Sequence, residues 1–374
     1  MQKVTDRKRV FSLFKELVSI DSESFSEREF ADVLLAKLKE LGIEAHEDDS
    51  GKKSGSNAGN VYGYLEGTIE GEPLLFCAHM DTVSPGKRKI PVIDEEGRIT
   101  SKGDTVLGAD DVAGITEILE AVRILKENNI PHRSLEFLFP VAEEAYVKGS
   151  RLFDYTKFAS KQAYVLDLTG SIGTASLKEP SLISFKVRIN GKGAHAGFAP
   201  EEGINAIQVF AESICSIKQG HVDGETTVNI GKVSGGTAIN AVPAQVTAEG
   251  EIRSYVHEKA VKELKHIKEI FEASAKKYGA SIEMEEEVNL VAYEVPETSP
   301  AAVRFKKACK ALNIRPVFTK TFGGSDNNSF LRNGITGIVM ACAMEKVHTT
   351  EEYCEISKMV QCIEILLKLM MDKK

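Results

Sequence analysis

The sequence predicts an α/β protein, on three observations. Apolar strand-like runs alternate with stretches of helical periodicity over residues 61–168. Near residue 176 the pattern changes to strand, helix, strand, strand, helix, strand, the order of a ferredoxin-like split βαβ unit. After about residue 290 the earlier alternation returns. The chain therefore reads as a mostly parallel central sheet flanked by helices, formed by 1–178 and 290–374, with a ferredoxin-like α+β domain inserted at 179–289.

Taken in order, the elements follow from spacing. Val10, Phe11, Phe14, Leu17 and Val18 recur at helical intervals, so MQKVTDRKRVFSLFKELVSI reads as an amphipathic helix and not a signal peptide. Ser26 with Glu29 predicts a capping box for a helix through Leu41. GKKSGSNAGN (51–60) reads as a loop, and VYGYLEG (61–67) and PLLFCAH (73–79) as strands. A helix is expected over Asp111 to Lys126, then strands at SLEFLFPVAEE (134–144) and AYVLDL (163–168). In the insert, strands are expected at 182–189, 227–233, 245–253 and 281–288, with helices at 204–218 and 258–278. Helices at 300–312 and 356–371 and strands at 316–321 and 336–341 complete the chain.

Length and composition narrow the function. At 374 residues the chain suits about two domains. A 42% hydrophobic and 27% charged composition excludes disorder. The net charge of −8, without a long basic run, argues against nucleic acid or an anionic membrane as partner. Apolar runs fall far short of the roughly 20 residues that a membrane span needs. Six scattered cysteines without a CxxC pair suit reduced thiols in a cytoplasmic enzyme.

The residues that carry chemistry fall at loop positions after strands or before helices. In CAHMD (77–81), His79 and Asp81 point to one side of an extended chain. Alone, the pair reads more readily as a strand-end histidine and a loop-capping aspartate. In GADDVAG (108–114), Asp111 reads equally as a helix cap, while Asp110 is better placed to face a cleft. Glu143 and Glu144 end an apolar strand, where paired carboxylates are costly unless they bind something positive. Asp167 is embedded between Leu166 and Leu168, and His348 lies in MEKVHTTEE (344–352). Mixed imidazole and carboxylate donors suit zinc, cobalt or manganese.

As an ordered set, HMD, GADDVAG, EE, an Asp and a C-terminal His resemble the di-zinc exopeptidase and amidohydrolase family. That family includes peptidase T, carboxypeptidase G, succinyl-diaminopimelate desuccinylase and aminoacylase-1. HMDTV with GADDVAGITEILEA looks most like the peptidase T branch. The resemblance covers the whole chain and implies roles. His79 would bind the first of two divalent metal ions and Asp167 complete its site; Asp110 would bridge both; Glu144 and His348 would bind the second. Asp81 would hold the His79 ring, and Glu143 would be the general base. The Asp110–Asp111 peptide is usually cis in the family. The insert would act as a lid and dimerisation domain. Its GKGAHAG (191–197) resembles the segment whose His, here His195, stabilises the oxyanion, from the same chain or from a partner subunit. GGTAINAVP (235–243) and EIRSY (251–255) resemble segments that supply Asn240 and Arg253 to a substrate carboxylate. GGSDNNS (323–329) resembles a substrate loop. The region 82–104 looks trimmed beside typical peptidase T.

The resemblance therefore implies a cytoplasmic di-zinc metallo-aminopeptidase of small peptides, tripeptidase-like, with a homodimer surface on the insert. The alternative is an N-acyl-amino-acid or dipeptide amidohydrolase using the same metal site. A metal-dependent binding protein without catalysis conflicts with the presence of Glu143. A dehydrogenase or serine hydrolase would need a GxGxxG turn or a GxSxG elbow, and neither occurs.

Overall fold

In a computed structural model, residues 5–373 of the chain are described. The start of the amphipathic stretch, residues 1–4, lies outside them. The chain forms two compact units. One comprises the chain up to Leu177 with Glu294–Lys320 and the segment from Ser325 on; the other comprises Lys178–Tyr293 and Thr321–Gly324.

The first unit is a mixed α/β structure on a large sheet. Strands Leu135–Phe139, Leu74–Cys77, Gln162–Leu168 and Thr336–Ala341 lie side by side in that order and run parallel. Val61–Leu65 and Glu44–Glu47 extend one edge antiparallel, and Thr174–Glu179 joins the other side antiparallel. Every residue of Leu74–Cys77 and Leu135–Phe139 is buried, as expected of strands covered on both faces.

Helix Arg7–Val18 buries Val10, Leu13, Phe14, Leu17 and Val18, one apolar stripe, and Asp6 caps it by accepting the Lys8 and Arg9 N–H groups. Helix Arg28–Glu40 starts differently from the expected Ser26 box. Glu27 holds the cap position without a side-chain bond to the helix. Its carboxylate instead accepts the N–H groups of Phe25 and Ala142 and the Ser56 hydroxyl, so it is committed to distant backbone.

Helix Ala109–Glu127 is buried over most of its length. Two glycines set its start. Gly108 turns the chain with φ 75°, a left-handed conformation that suits glycine. A Cβ on Gly114 would stand 2.4 Å from Asp111 Oδ1 and 2.8 Å from Leu166 Cβ, so only glycine lets the helix lie this close to Gln162–Leu168.

A smaller four-stranded sheet was not expected. The region 82–104 carries the hairpin Pro91–Ile93 and Arg98–Ser101, and Arg98–Ser101 pairs with Tyr353–Glu355, which pairs in turn with Met344–Glu345. His348 thus sits in a hairpin loop tied to the region 82–104.

The second unit is an antiparallel sheet in the order Gly220–His221, Thr226–Gly235, Gln245–Ser254, Ser181–Asn190, Ser281–Leu290. Ile183, Phe185, Val187 and Ile189 alternate with polar residues and form its core with Ala206 and Val209 of helix Ala206–Ser216 and Leu264, Ile267 and Phe271 of helix His257–Tyr278. Apart from the two-residue strand at its edge, this is the predicted strand and helix order. Among the described residues no helix is long and apolar enough to cross a membrane.

Candidate metal centre

Three adjacent parallel strands deliver acids and a histidine to one end of the sheet. His79 lies two residues past Leu74–Cys77, Glu143 and Glu144 follow Leu135–Phe139, and Asp167 stands near the end of Gln162–Leu168. Loops beyond the carboxyl ends of parallel strands are where α/β sheets build sites. Asp110 arrives from the start of helix Ala109–Glu127, and the Asp110–Asp111 peptide is cis.

The donor atoms converge. His79, Asp110 and Glu144 form one group, and His79, Glu143 and Asp167 another, each with its ligand atoms within 4.8 Å of one another. His79 Nε2 lies 3.0 Å from Asp110 Oδ1. His348 Nε2 lies 3.2 Å from Asp110 Oδ2 and 2.9 Å from Glu144 Oε1. Asp110 thus presents one oxygen to each imidazole.

Asp81 meets the His79 ring and also serves the turn beyond it. His79 Nδ1 bonds the Asp81 main-chain carbonyl at 2.9 Å, while the carboxylate stands 3.6 Å from that nitrogen. The carboxylate accepts the N–H groups of Glu143 at 2.8 Å and Glu144 at 3.2 Å and the Ser24 hydroxyl at 2.6 Å. It fixes the turn that carries both glutamates. Glu27 holds the same turn one residue earlier, through Ala142. Asp111 also faces inward, accepting the N–H groups of His79 and Gly114.

Electrostatics show what the cluster would attract. Burial would raise the Asp110 carboxyl, but hydrogen bonds from His348 and His79 outweigh it and hold the group well below the usual carboxylate range. Hydrogen bonds to Asp110 and Glu144 push His348 up to about 10. Burial pushes Glu143, Glu144 and Asp167 up, and like charge from neighbouring acids adds to it. This crowd of buried carboxylates calls for positive charge, and imidazole with carboxylate is a donor set that holds divalent cations. The residues present fit such ions.

Sequence reasoning missed Glu352. It is buried, and it accepts the N–H groups of Gly108 at 2.7 Å and Asp110 at 3.0 Å. Its signal was an acid four residues beyond the candidate histidine.

The remaining candidates belong to the second unit. The segments GKGAHAG and GGTAINAVP lie side by side: Ala196 donates to the Asn240 carbonyl at 3.0 Å, and Val242 donates to the Ala194 carbonyl at 2.9 Å. His195 and Asn240 are therefore neighbours, both exposed. His195 Nδ1 accepts the N–H groups of Gly197 and Phe198. In the neutral ring the proton must then sit on Nε2, which is left as a donor. Arg253 is engaged with Glu251 and with the Phe322 carbonyl.

The chain is similar to known proteins over almost its whole length. The chain is 36% identical to the uncharacterized protein YqjE of Bacillus subtilis, covering 98% of both chains. It is 36% identical to the aminopeptidase PepT of Bacillus cereus, with a TM-score of 0.88 over 98% of this chain and 99% of that one. The chain belongs to the M20 metallopeptidase family, in its peptidase T-like branch. A tripeptidase of Staphylococcus aureus is 32% identical with a TM-score of 0.93, covering 98% of both chains. The peptidase dimerisation domain of family M20 matches residues 177–279, and peptidase family M28 matches residues 60–196. This M20 member is thus a hydrolase of the metallo-exopeptidase class.

Proposed function

We propose that this M20 peptidase is an aminotripeptidase-like enzyme that works with two divalent cations. The observation that carries the reading is the pair of donor groups sharing His79, with Glu143 in one of them. His79 and Asp167 would hold one ion and Glu144 and His348 the other, with Asp110 bridging. Zinc bound there, or cobalt or manganese, would supply Lewis-acid activation of water and of the scissile carbonyl.

The chain's own residues do the rest. Glu143 takes the proton of the attacking water on a carboxylate oxygen and hands it to the leaving amine. Asp81 and Glu27 keep that carboxylate in place through the backbone. His195 donates its Nε2–H to the oxyanion. Arg253 and Asn240 hold the substrate carboxylate. The M20 dimerisation domain suggests a homodimer, and the edge of Thr226–Gly235 beyond its short partner strand, with exposed Val233, offers a surface for it. Six free cysteines fit a cytoplasmic setting.

The test is hydrolysis after chelation, with zinc, cobalt or manganese added back. The substrates are a tripeptide, a dipeptide, a C-terminally amidated tripeptide and an N-acetyl amino acid. Metal-restored cleavage of the first bond of the tripeptide is expected. Cleavage of the N-acetyl substrate alone would make the enzyme a deacylase on the same site. No metal-dependent turnover of any of the four would sink the reading.

A further inference from the structure

Arg253 and Glu251 stand two apart on Gln245–Ser254 and share the sheet face opposite the buried Ala248 and Ile252. Glu251 Oε1 accepts Arg253 Nε at 2.8 Å, and Oε2 accepts Nη2 at 3.3 Å. Nη1 donates to the Phe322 carbonyl at 2.8 Å. The Phe322 ring packs against Tyr255 at 4.4 Å between centroids and His221 at 5.8 Å, so that carbonyl is anchored. A guanidinium has five N–H donors in a fixed fork. Glu251 takes the side-on pair and Phe322 one more. One N–H on each Nη atom remains to meet a second carboxylate. That carboxylate would meet a cation whose charge is already matched. The nearby Glu249 does not relieve Glu251 of this task, because its own partners are Lys186 and Lys232.

We propose that Glu251 sets how strongly this enzyme prefers a substrate with a free carboxylate over one with a neutral C-terminus. It does so by holding the side-on fork of Arg253 and balancing its charge. The inference rests on the reading in which Arg253 meets the substrate carboxylate. Arg253 and Glu251 side chains are 28% and 26% exposed, so their interaction with a third charge is partly screened. Two like charges about 6 Å apart in such a setting repel enough to change affinity roughly tenfold. Peptides with a neutral end are spared that repulsion. With Glu251 in place, the preference for a free carboxylate is therefore shallow.

The experiment compares kcat/KM for trialanine and trialanine amide, with N-acetylalanine and its amide as a second pair, in the metal-loaded enzyme. Glu251→Gln keeps an oxygen acceptor for Nε and removes the charge. It is expected to raise the acid-to-amide ratio about tenfold, through KM of the acid with kcat little changed. Arg253→Gln should bring the ratio below one while Glu251 keeps its charge, and close to one when Glu251→Gln is added. A ratio that stays the same or falls in Glu251→Gln, while Arg253→Gln still lowers it, overturns the role of Glu251. A ratio untouched by Arg253→Gln overturns the reading of Arg253 itself, and the role of Glu251 with it.

Discussion

The carboxylate of Glu352 accepts the backbone N–H of Asp110 at 3.0 Å, across 242 positions of chain. With its other oxygen it accepts Gly108 N–H. Glu352 follows His348 by four residues, so this one side chain sets the spacing between the His348 loop and the carboxylate that faces both imidazoles. Glu352→Ala should leave the fold standing but let the two loops drift apart. Metal affinity is expected to fall about 10–100-fold, the usual cost of losing a group that orients ligands. Competition with a chelator measures it, and Glu352→Gln, which keeps one acceptor, should fall between. A folded Glu352→Ala that binds metal as tightly as wild type would remove this role.

Glu143→Ala separates the base from the ligands. Glu143 lies in the same donor group as His79 and Asp167, yet the proposal gives it the proton and not an ion. Turnover should drop by about 10²–10⁴, the scale of general base catalysis. Metal content, read by atomic emission, should stay near the wild-type value. If metal leaves together with activity, Glu143 is a ligand first.

How much of this was legible varied with the range of the interaction. Strands such as Leu74–Cys77 and Gln162–Leu168 announce themselves because parallel strands covered on both faces must be continuously apolar, and the first polar residues beyond them mark the sheet end. That rule puts His79, Glu143 and Glu144 just past their strands and Asp167 near the end of its own, which makes them candidates and no more. Asp110 and His348 are candidates on position too, and the family resemblance adds the roles and the convergence that no local pattern encodes. The pairing of Arg98–Ser101 with Tyr353–Glu355 joins segments some 250 residues apart. Nothing in either short strand names its partner. The same holds for Asp81 and Glu27, whose carboxylates serve backbone N–H groups. Main-chain donors carry no sequence signature, so a side chain committed to them looks like any loop acid. Ser26 and Glu29 had the spacing of a capping box, but the distant demand of Ala142 drew in Glu27.

His195 offers a second kinetic test. Its Nδ1 is held by the N–H groups of Gly197 and Phe198, and its ring stacks on Phe198 at 4.2 Å. That fixes Nε2–H as a donor. His195→Ala should lower kcat by about 10²–10³ with a smaller change in KM, because an oxyanion donor acts mainly in the transition state. Mixed dimers of His195→Ala with Glu143→Ala chains then tell whether it serves its own chain. If His195 reaches a partner's site, mixing two inactive chains restores one working site per mixed dimer. No recovery would place its action within one chain.

Glu117 gives a prediction about stability in place of catalysis. It is fully buried in helix Ala109–Glu127; Oε1 accepts the Ala343 N–H at 3.3 Å, and the Cys362 thiol lies against the carboxyl. Burial pushes its carboxyl from 4.5 up to about 8. Between those two values the native chain keeps a proton that the unfolded chain has released. The native state then binds more protons than the unfolded one, so this group makes stability fall as pH rises through that window. Below the window both states are protonated and the contribution vanishes. Glu117→Gln cannot ionise and keeps an oxygen for Ala343. Its melting temperature should match wild type near pH 4.5 and exceed it progressively towards pH 8, where the buried charge costs wild type on the order of a few kcal/mol. Thermal melts of metal-free protein across that range check it without interference from ion binding. A constant offset between the two proteins at every pH would mean that Glu117 stays ionised in the core, and that the helix tolerates its charge.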